Sequence, residues 1–297
     1  MSDAPSFAPH PLDHLVLPVG SLDEARARLA ALGFIVAPTG IHPFGTVNCC
    51  VFLADGTYLE PLAVGNAGDA SLAIASGNVF VGRDRLYRNS RGDDGFSAVV
   101  LGTADALADN ARYVEAGLSA GQVLDFSRAF TDADGKSETA SFRLAFAGDA
   151  NPDAFLFACE RVNAPNVDRT ALQAHGNGAL GMVEIIAVSD APSGQERLIH
   201  TATRARPDDE RRPCIDFNLA NARLSVLEPA AFEARFGLPA GAPSKLRFAA
   251  IVFSVRSAAA VAKLLAAGAI EHDIRDNDVV VPPAPGQGAA FIFREMS

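Results

Sequence analysis

Apolar and polar positions along the chain fall into a recurring order: a short apolar run, an amphipathic stretch, a glycine, then alternating runs parted by turns. Residues 12–19, LDHLVLPV, are an apolar run of strand length. Ser21 and Glu24 follow with the S-x-x-E spacing of a capping box, where the hydroxyl accepts from one free helical N–H and the carboxylate reaches back to another. Leu22, Ala25, Leu29 and Leu32 recur at helical spacing, and Gly33 stands where a left-handed helix end suits glycine. Residues 35–37 and 47–53 flank the turn-rich HPFGT, and Asp55-Gly56 marks a tight turn into residues 57–64. The pattern predicts a βαβββ unit over residues 12–64.

Three looser copies follow. Residues 96–102 open the second, with a helix over 105–116 ending at Gly117 and strands over 125–130, 141–146 and 155–160. Residues 183–188, VEIIAV, open the third, with a helix over 194–205 and strands over 214–219 and 223–227. Residues 248–255 open the fourth, with a helix over 258–267 ending at Gly268 and strands over 270–274, 279–281 and 289–293. Gly33 lies 19 positions after His14, Gly117 lies 20 after Ser97, and Gly268 lies 18 after Ala250. The fold class expected is α+β, with four βαβββ modules in two tandem pairs. The expected division is a disordered lead-in over 1–11, a first paired domain over 12–165, a linker over 166–180 rich in Asn, Ala and Gly, and a second paired domain over 181–297. Residues 65–95 read as a long connecting loop, whose Arg83, Arg85, Arg88 and Arg91 have two readings: a face for an acidic substrate, or scattered solvated charge.

Composition narrows the partners. A net charge of −10 and a pI near 5.0 speak against nucleic acid and anionic membranes, which need a basic face. No apolar run approaches the length of a membrane span, and the first residues lack the basic and apolar regions of a signal peptide. Cys49, Cys50, Cys159 and Cys214 form no C-x-x-C pair and sit in apolar strand-like contexts, so buried thiols in a reducing cytoplasm are expected. Gly176, Gly178 and Gly181 match G-x-G-x-x-G, but a linker precedes them and a strand follows, which removes dinucleotide binding. G-x-S-x-G, P-loop and H-E-x-x-H motifs are absent.

Tandem βαβββ units, with LDHLVLPV opening the first and TYLEPL closing it, resemble the vicinal-oxygen-chelate superfamily. Within it, the HPFGT turn, the FACE strand end and the HGNGAL stretch resemble the glyoxalase-like domain proteins. The superfamily includes lyases, isomerases, ring-cleaving dioxygenases and metal-free binding proteins, so the resemblance implies a fold more firmly than an activity.

In a strand, alternate residues share a face, so His14 falls with Val16 and Pro18, and Tyr58 with Glu60 and Leu62. The resemblance places His14 and Glu60 on the metal-ligand positions of a cupped sheet, with Glu160 either a third ligand or a solvent-facing glutamate at a strand end; the ion is divalent Zn, Mn, Ni or Fe. A buried hydrogen-bonded pair is the other reading of His14 and Glu60. Ser97 takes the place of His14 in the second unit and is a poor ligand. His42 and Asn48 flank HPFGT, as a rim acid or base and a holder of substrate oxygen, or as parts of a structural turn. Tyr58 is a further cavity residue, and the resemblance puts His175 and Asn177 near the first cavity. Glu184 and Glu228 fall at the His14 and Glu60 positions of the third unit, which is expected to be structural shell, with Glu228 at a helix start. The expected function is metal-dependent lyase or isomerase chemistry on a small oxygenated molecule, the alternatives being extradiol ring cleavage and metal-free binding or sequestration. Beyond its small-molecule substrate, a homodimer is the only partner contemplated.

Overall fold

The structure, a computed structural model, describes residues 8–131, 137–165, 167–208 and 214–296. The first unit runs β1 (Leu12–Pro18), α1 (Leu22–Ala31), β2 (Thr39–Ile41), β3 (Thr46–Cys49), β4 (Val51–Phe52) and β5 (Tyr58–Val64). Two helices, α2 (Ala67–Ala75) and α3 (Val79–Arg91), lead to the second unit: β6 (Ala98–Thr103), α4 (Ala106–Glu115), β7 (Leu124–Thr131), β8 (Ser137–Ala147) and β9 (Phe155–Asn163). The third unit is β10 (Ala179–Val188), α5 (Glu196–Thr203), β11 (Cys214–Asn218) and β12 (Arg223–Leu227), closed by α6 (Pro229–Phe236). The fourth is β13 (Arg247–Val255), α7 (Ala258–Ala267), β14 (Asp273–Arg275), β15 (Asp278–Val281) and β16 (Ala290–Glu295).

These elements make two mixed sheets, as a tandem vicinal-oxygen-chelate fold does. The first is ordered β2-β3-β5-β1-β6-β9-β8-β7, with β4 also on β5; the second is β11-β12-β10-β13-β16-β15-β14. Within each sheet the two units meet through their opening strands, antiparallel, with Leu15 opposite Val99 and Ile185 opposite Ile251. Strand alternation then divides the core. Leu15, Val99, Ile185, Ile251 and Phe253 belong to one apolar cluster shared by the backs of both sheets. Val16, Leu62, Ala98, Val100 and Phe157 face the other way, into a second cluster on the concave side of the first sheet. Fully burying each Leu, Val or Phe contributes roughly 1.5–3 kcal/mol, so the shared cluster is the main tie between the sheets.

Local signals explain much of the first unit. The Ser21 hydroxyl accepts from the Glu24 N–H and caps α1. At the other end Gly33 has φ of +84°, Gly33 N–H donates to Ala30 O and Phe34 N–H to Leu29 O, the paired bonds of a Schellman ending.

Several segments depart from the sequence pattern. Residues 35–37 are not a strand: Ile35 N–H donates to His175 Nδ1 at 3.0 Å and Ala37 N–H to Cys50 O at 2.8 Å, and the ladder starts only after Pro38, at β2. The expected run over 47–53 breaks at Cys50, whose carbonyl takes that bond, leaving β3 and β4. The third unit has two described strands after its helix, and an isolated bridge between Pro207 and Phe217 stands on the outer side of β11. The expected lead-in lies mostly outside the described residues, but His10 is buried, with its N–H on Thr203 O at 2.8 Å and its ring 3.0 Å from Asp109. Cys49, Cys50 and Cys159 are buried free thiols; Cys214, expected to be buried, is half-exposed on the edge strand β11.

The connection over 65–95 is not a loop. Asn66 caps α2 by accepting from the N–H groups of Gly68 and Asp69, and Asn78 caps α3 by accepting from Val81. Its arginines hold structure and do not form an acid-binding face. Arg83 donates to the carbonyls of Asp149, Asn151 and Ala154, and Arg88 to Asp84 and the carbonyls of Val19, Leu62 and Asp93. Arg85 meets Ser71, and Arg91 pairs with Asp153. Most of these carbonyls end strands or lie in loops, where guanidinium groups supply the missing donors; Leu62 O already accepts from the Val19 N–H and takes Arg88 as a second donor.

Asp153 ties α3 to the second sheet's approach segment, since Ser90 and Ser244 also donate to it. Burial alone would raise its pKa, but Arg91 and the two hydroxyls outweigh burial and lower it to about 2. A depressed carboxylate contributes stability above its unfolded pKa, near 4, and loses it as pH falls through the folded value. Asp153→Asn should therefore cost about 2 kcal/mol at pH 7, and urea unfolding of the two proteins should converge as pH falls from about 4 towards 2.

Candidate active site

The concave face of the first sheet carries one dense polar group. In the parallel β1–β5 pair, His14 stands opposite Tyr58 and Val16 opposite Glu60, so the side chains of His14, Tyr58 and Glu60 share that face. The His14 ring stacks on Tyr58, centroids 4.3 Å apart and 13° between planes. His14 Nε2 is 3.4 Å from Glu60 Oε2. His14 Nδ1 lies 2.7 Å from Asp13 Oδ1, and Arg161 donates to the other Asp13 oxygen at 2.8 Å.

The turn between β2 and β3 supplies the other side. Gly45 has φ of +87°, and a Cβ there would run into the backbone of Asn66 and Ala70, so the tight turn needs glycine. The turn folds His42 inward, buried, with Nδ1 2.9 Å from Thr46 Oγ and Nε2 3.6 Å from Glu60 Oε1. Asn48 on β3 donates through Nδ2 to Glu60 Oε1 at 2.6 Å and faces His42 Nε2 at 3.5 Å. That amide group is a donor, which favours the tautomer with His42 Nε2 bare and the proton on Nδ1 towards Thr46. Glu60 is thus a buried carboxylate held between two imidazoles and an amide.

The surroundings set opposite charge states for the two imidazoles. Burial would lower the pKa of His14, but hydrogen bonds and charge from Asp13 and Glu60 outweigh it and raise it. His42 is dominated by burial, which lowers its pKa to about 4, with Arg128 and His14 adding and Glu60 opposing. Burial would raise Glu60, but His14, His42 and Asn48 bring it down to about 2. These shifts favour an imidazolium at His14, a carboxylate at Glu60 and a neutral imidazole at His42. The gaps of 3.4 and 3.6 Å are long for hydrogen bonds. Both imidazole nitrogens therefore keep capacity for another polar atom.

Above this floor is a narrow cleft with about 390 Å³ of empty space, part of it open to solvent. Phe44, Phe80, Phe126, Phe142 and Phe157 wall it, with Arg128 and Cys159. The second unit therefore contributes walls. Its inward positions near the floor are Ala98, Val100, Phe157 and Cys159, and of these only the Cys159 thiol, whose pKa burial raises, is a donor type for metal.

Of the residues singled out in the sequence, His14, Glu60, Tyr58, His42 and Asn48 come together here. Glu160 does not join them. Phe157 and Cys159 face the cleft, so the next residue on β9 faces away, and Glu160 Oε2 accepts from the Ala106 N–H at the start of α4. His175 and Asn177 also lie elsewhere. His175 bridges the Ile35 N–H and Phe52 O, and Asn177 donates to Leu32 O, so both pin the linker to the back of the first unit. Ser97 is buried, with its hydroxyl unpartnered, one position out of phase with the inward Ala98. Glu184 is buried but answered by Arg235 at 2.7 Å, Arg294 at 3.1 Å and Ser225 at 2.9 Å, a closed ion cluster. Glu228 precedes Pro229 at the start of α6 without a side-chain capping bond. Asp13 and Arg128 were missed; an acidic residue next to His14 was the available signal for the first, and no local signal marks the second.

A divalent ion needs three or four donors. His14 and Glu60 supply two at the positions the resemblance named, and His42 Nε2 is the next nearest nitrogen. Among the described residues no three His, Cys, Asp or Glu side chains gather as a group able to hold a metal. The set as folded is an ion-paired acid–base array short of a full ligand shell.

Comparison with known proteins places this geometry. A family profile described as a glyoxalase-like domain matches residues 12–204. Solved structures with the same fold include a hypothetical protein from Staphylococcus aureus, at 13% identity and a TM-score of 0.67, covering 96% of this chain and 99% of that one. A mutant of 4-hydroxymandelate synthase from Streptomyces coelicolor aligns at 12% identity and a TM-score of 0.61, covering 97% and 93%. A Mn(II)-bound glyoxalase from Novosphingobium aromaticivorans aligns at 11% identity and a TM-score of 0.53, covering 97% and 82%. No curated protein sequence matches.

The amide of Asn48 is the shortest partner of Glu60, so its removal tests the array. Asn48→Leu should cost about 1–3 kcal/mol, the usual penalty for a buried acceptor deprived of its donor. Asn48→Asp should cost more, because it sets a second carboxylate beside the first. Urea midpoints at pH 7 check both.

Proposed function

The chain belongs to the glyoxalase-like domain family, and from that premise we propose that it is an enzyme, a lyase or isomerase, that moves a proton on a small carbonyl- or hydroxy-bearing molecule bound over Glu60. The observation that carries this reading is the pair of imidazoles driven to opposite protonation states on either side of one carboxylate. Two titratable groups whose surroundings push their pKa values apart mark an acid and a base.

The roles follow from the atoms. His14, charged and held at Nδ1 by Asp13, offers its Nε2 proton to a substrate oxygen. His42, neutral with Nε2 bare, accepts a proton from the neighbouring carbon. As that C–H bond breaks, its electron pair forms the C=C bond of an enediol and the carbonyl oxygen takes the proton from His14. For an isomer, the hydroxyl on the deprotonated carbon gives its proton to His14 and becomes the new carbonyl, while the former carbonyl carbon takes the proton back from His42. For a lyase product, the enol returns its proton to His14, the carbonyl re-forms, and a group on the carbon beyond the deprotonated one leaves with its bonding pair and takes the proton from His42. Glu60 pairs with His14, Thr46 holds His42 through Nδ1, and the carboxylate offsets the charge His42 gains when it takes the proton. The stack with Tyr58 fixes the plane of His14, and the phenylalanine walls keep water away from the intermediate.

No step is drawn through a metal ion, since the donor set is short of ligands. One observation favours a second, metal-dependent reading: a carboxylate on the far nitrogen of a histidine, as Asp13 sits on His14, is the usual support of a metal-bound imidazole. In that reading His14 and Glu60 hold the ion, which would act as a Lewis acid on the substrate oxygens.

The test is deuterium uptake from D₂O into a panel of 2-hydroxy and 2-oxo compounds, followed by proton NMR with and without chelator. Uptake is expected to persist in chelator, to fall roughly 100-fold or more in His42→Ala and His14→Gln, and to require a pH above about 4, where His42 is neutral. It should fall again as pH rises past the raised pKa of His14. Uptake only with added Zn²⁺, Mn²⁺, Ni²⁺ or anaerobic Fe²⁺ would establish the metal reading instead. Binding without uptake under any of these conditions would make the protein a carrier.

A further inference from the structure

The polar floor of the cleft is nearly balanced in charge, and its rim is not. Asp13 is answered by His14 and Arg161, and Glu60 by His14. Arg128 has no such answer. It lies on β7 of the second unit and lines the cleft, half-buried, with no carboxylate paired to it among the described residues. Its guanidinium carbon is 5.9 Å from the centre of the Phe142 ring. Across the cleft it rests on the first unit: a Cβ added at Gly40 would run into both the Arg128 guanidinium and the Asn48 amide oxygen. Gly40 stands opposite Asn48 in the β2–β3 ladder, and Asn48 is the residue that donates to Glu60. One amide therefore separates the unpartnered cation from the carboxylate of the floor. Glu60 forms no ion pair with Arg128; its Oε1 takes the Asn48 amide and its Oε2 faces His14.

A second guanidinium adds to the surplus. Arg169 stacks on Phe52 at 4.3 Å, has no ion-pair partner among the described residues, and is close enough to Arg128 for their charges to interact. In a chain of net charge −10, two uncompensated arginines beside one aromatic cleft form a local positive field that draws anions. The planar fork of an arginine fits a carboxylate through two parallel hydrogen bonds.

We propose that Arg128 anchors a carboxylate of the substrate, so that the cleft takes small organic acids whose apolar body lies among the phenylalanines and whose reacting oxygen meets His14. This rests on the cleft being the active site, and it adds the substrate class.

The probes are phenylacetate and 3-phenylpropanoate, each against its uncharged primary amide, with binding followed by titration calorimetry on the full chain. The wild-type protein should bind each acid roughly tenfold or more tighter than its amide, the increment of a hydrogen bond between charged groups. Arg128→Gln should bind acid and amide alike, and Arg128→Lys should recover part of the preference. Arg128 is half-exposed on an edge strand, so both variants should melt with the wild type. Equal binding of acid and amide by the wild type, a preference that survives in Arg128→Gln, or no binding of either acid overturns the proposal. Displacement of the acids by an equal concentration of inorganic phosphate would show a general anion site and overturn the substrate class. The proposed chemistry fails separately: Glu60→Gln should keep the acid preference, and a kept preference without deuterium uptake in the wild type would sink the proton-transfer reading alone.

Discussion

The first sheet is organised around one buried negative charge. Glu60 is 5% exposed, and an isolated carboxylate so placed would give up its proton only at great cost. It stays ionised because the charged His14 of β1 stands against one oxygen and the Asn48 amide of β3 donates to the other, with His42 from the tight turn closing the third side. Each arrives by a local constraint. The parallel register of β1 and β5 sets His14 on the same face as Glu60, and the glycine turn folds His42 back over Asn48. A one-residue slip in either ladder would turn these groups into the apolar core behind the sheet.

The second sheet shows what the same architecture does without histidines. It also buries a carboxylate on its concave side, Glu184, at 4% exposure. There the partners are Arg235, Arg294 and Ser225, which never release their protons at ordinary pH. The result is a permanent ion cluster. Imidazoles in the first sheet make the matching cluster titratable, and only a titratable cluster can pass protons to a ligand. The second unit of the first sheet contributes aromatic walls and one arginine, so the two halves of the cleft divide the work into floor and enclosure.

Much of the architecture was legible because it is written in short-range signals. Leu12 to Gly33 announced a strand, a capped helix and its ending, and the recurrence of that spacing announced the tandem units. The site was legible as far as strand alternation reaches: His14 with Glu60, and Asn48 beside the HPFGT turn. What failed depended on phase or on long-range partners. Glu160 looked like a ligand because it takes the place of Glu60 in the closing strand of the second unit, but β9 presents Phe157 and Cys159 to the cleft, which turns Glu160 to α4. The resemblance of the HGNGAL stretch put His175 near the cavity, and its two nitrogens are instead spent on Ile35 and Phe52. The helices α2 and α3 were hidden because Asn66 and Asn78 read as loop residues as readily as caps. Arg128 was invisible because its contact with Gly40 spans two units and no local pattern encodes it.

The central claim is that two imidazoles beside one carboxylate stand in opposite protonation states, His14 charged through Asp13 and Glu60 and His42 neutral through burial. Neutron diffraction from deuterated crystals at pH 7 addresses it most directly. The account predicts deuterium on both nitrogens of His14, on Nδ1 alone of His42, and on neither oxygen of Glu60. Deuterium on Nε2 of His42, a singly protonated His14, or a protonated Glu60 would contradict it.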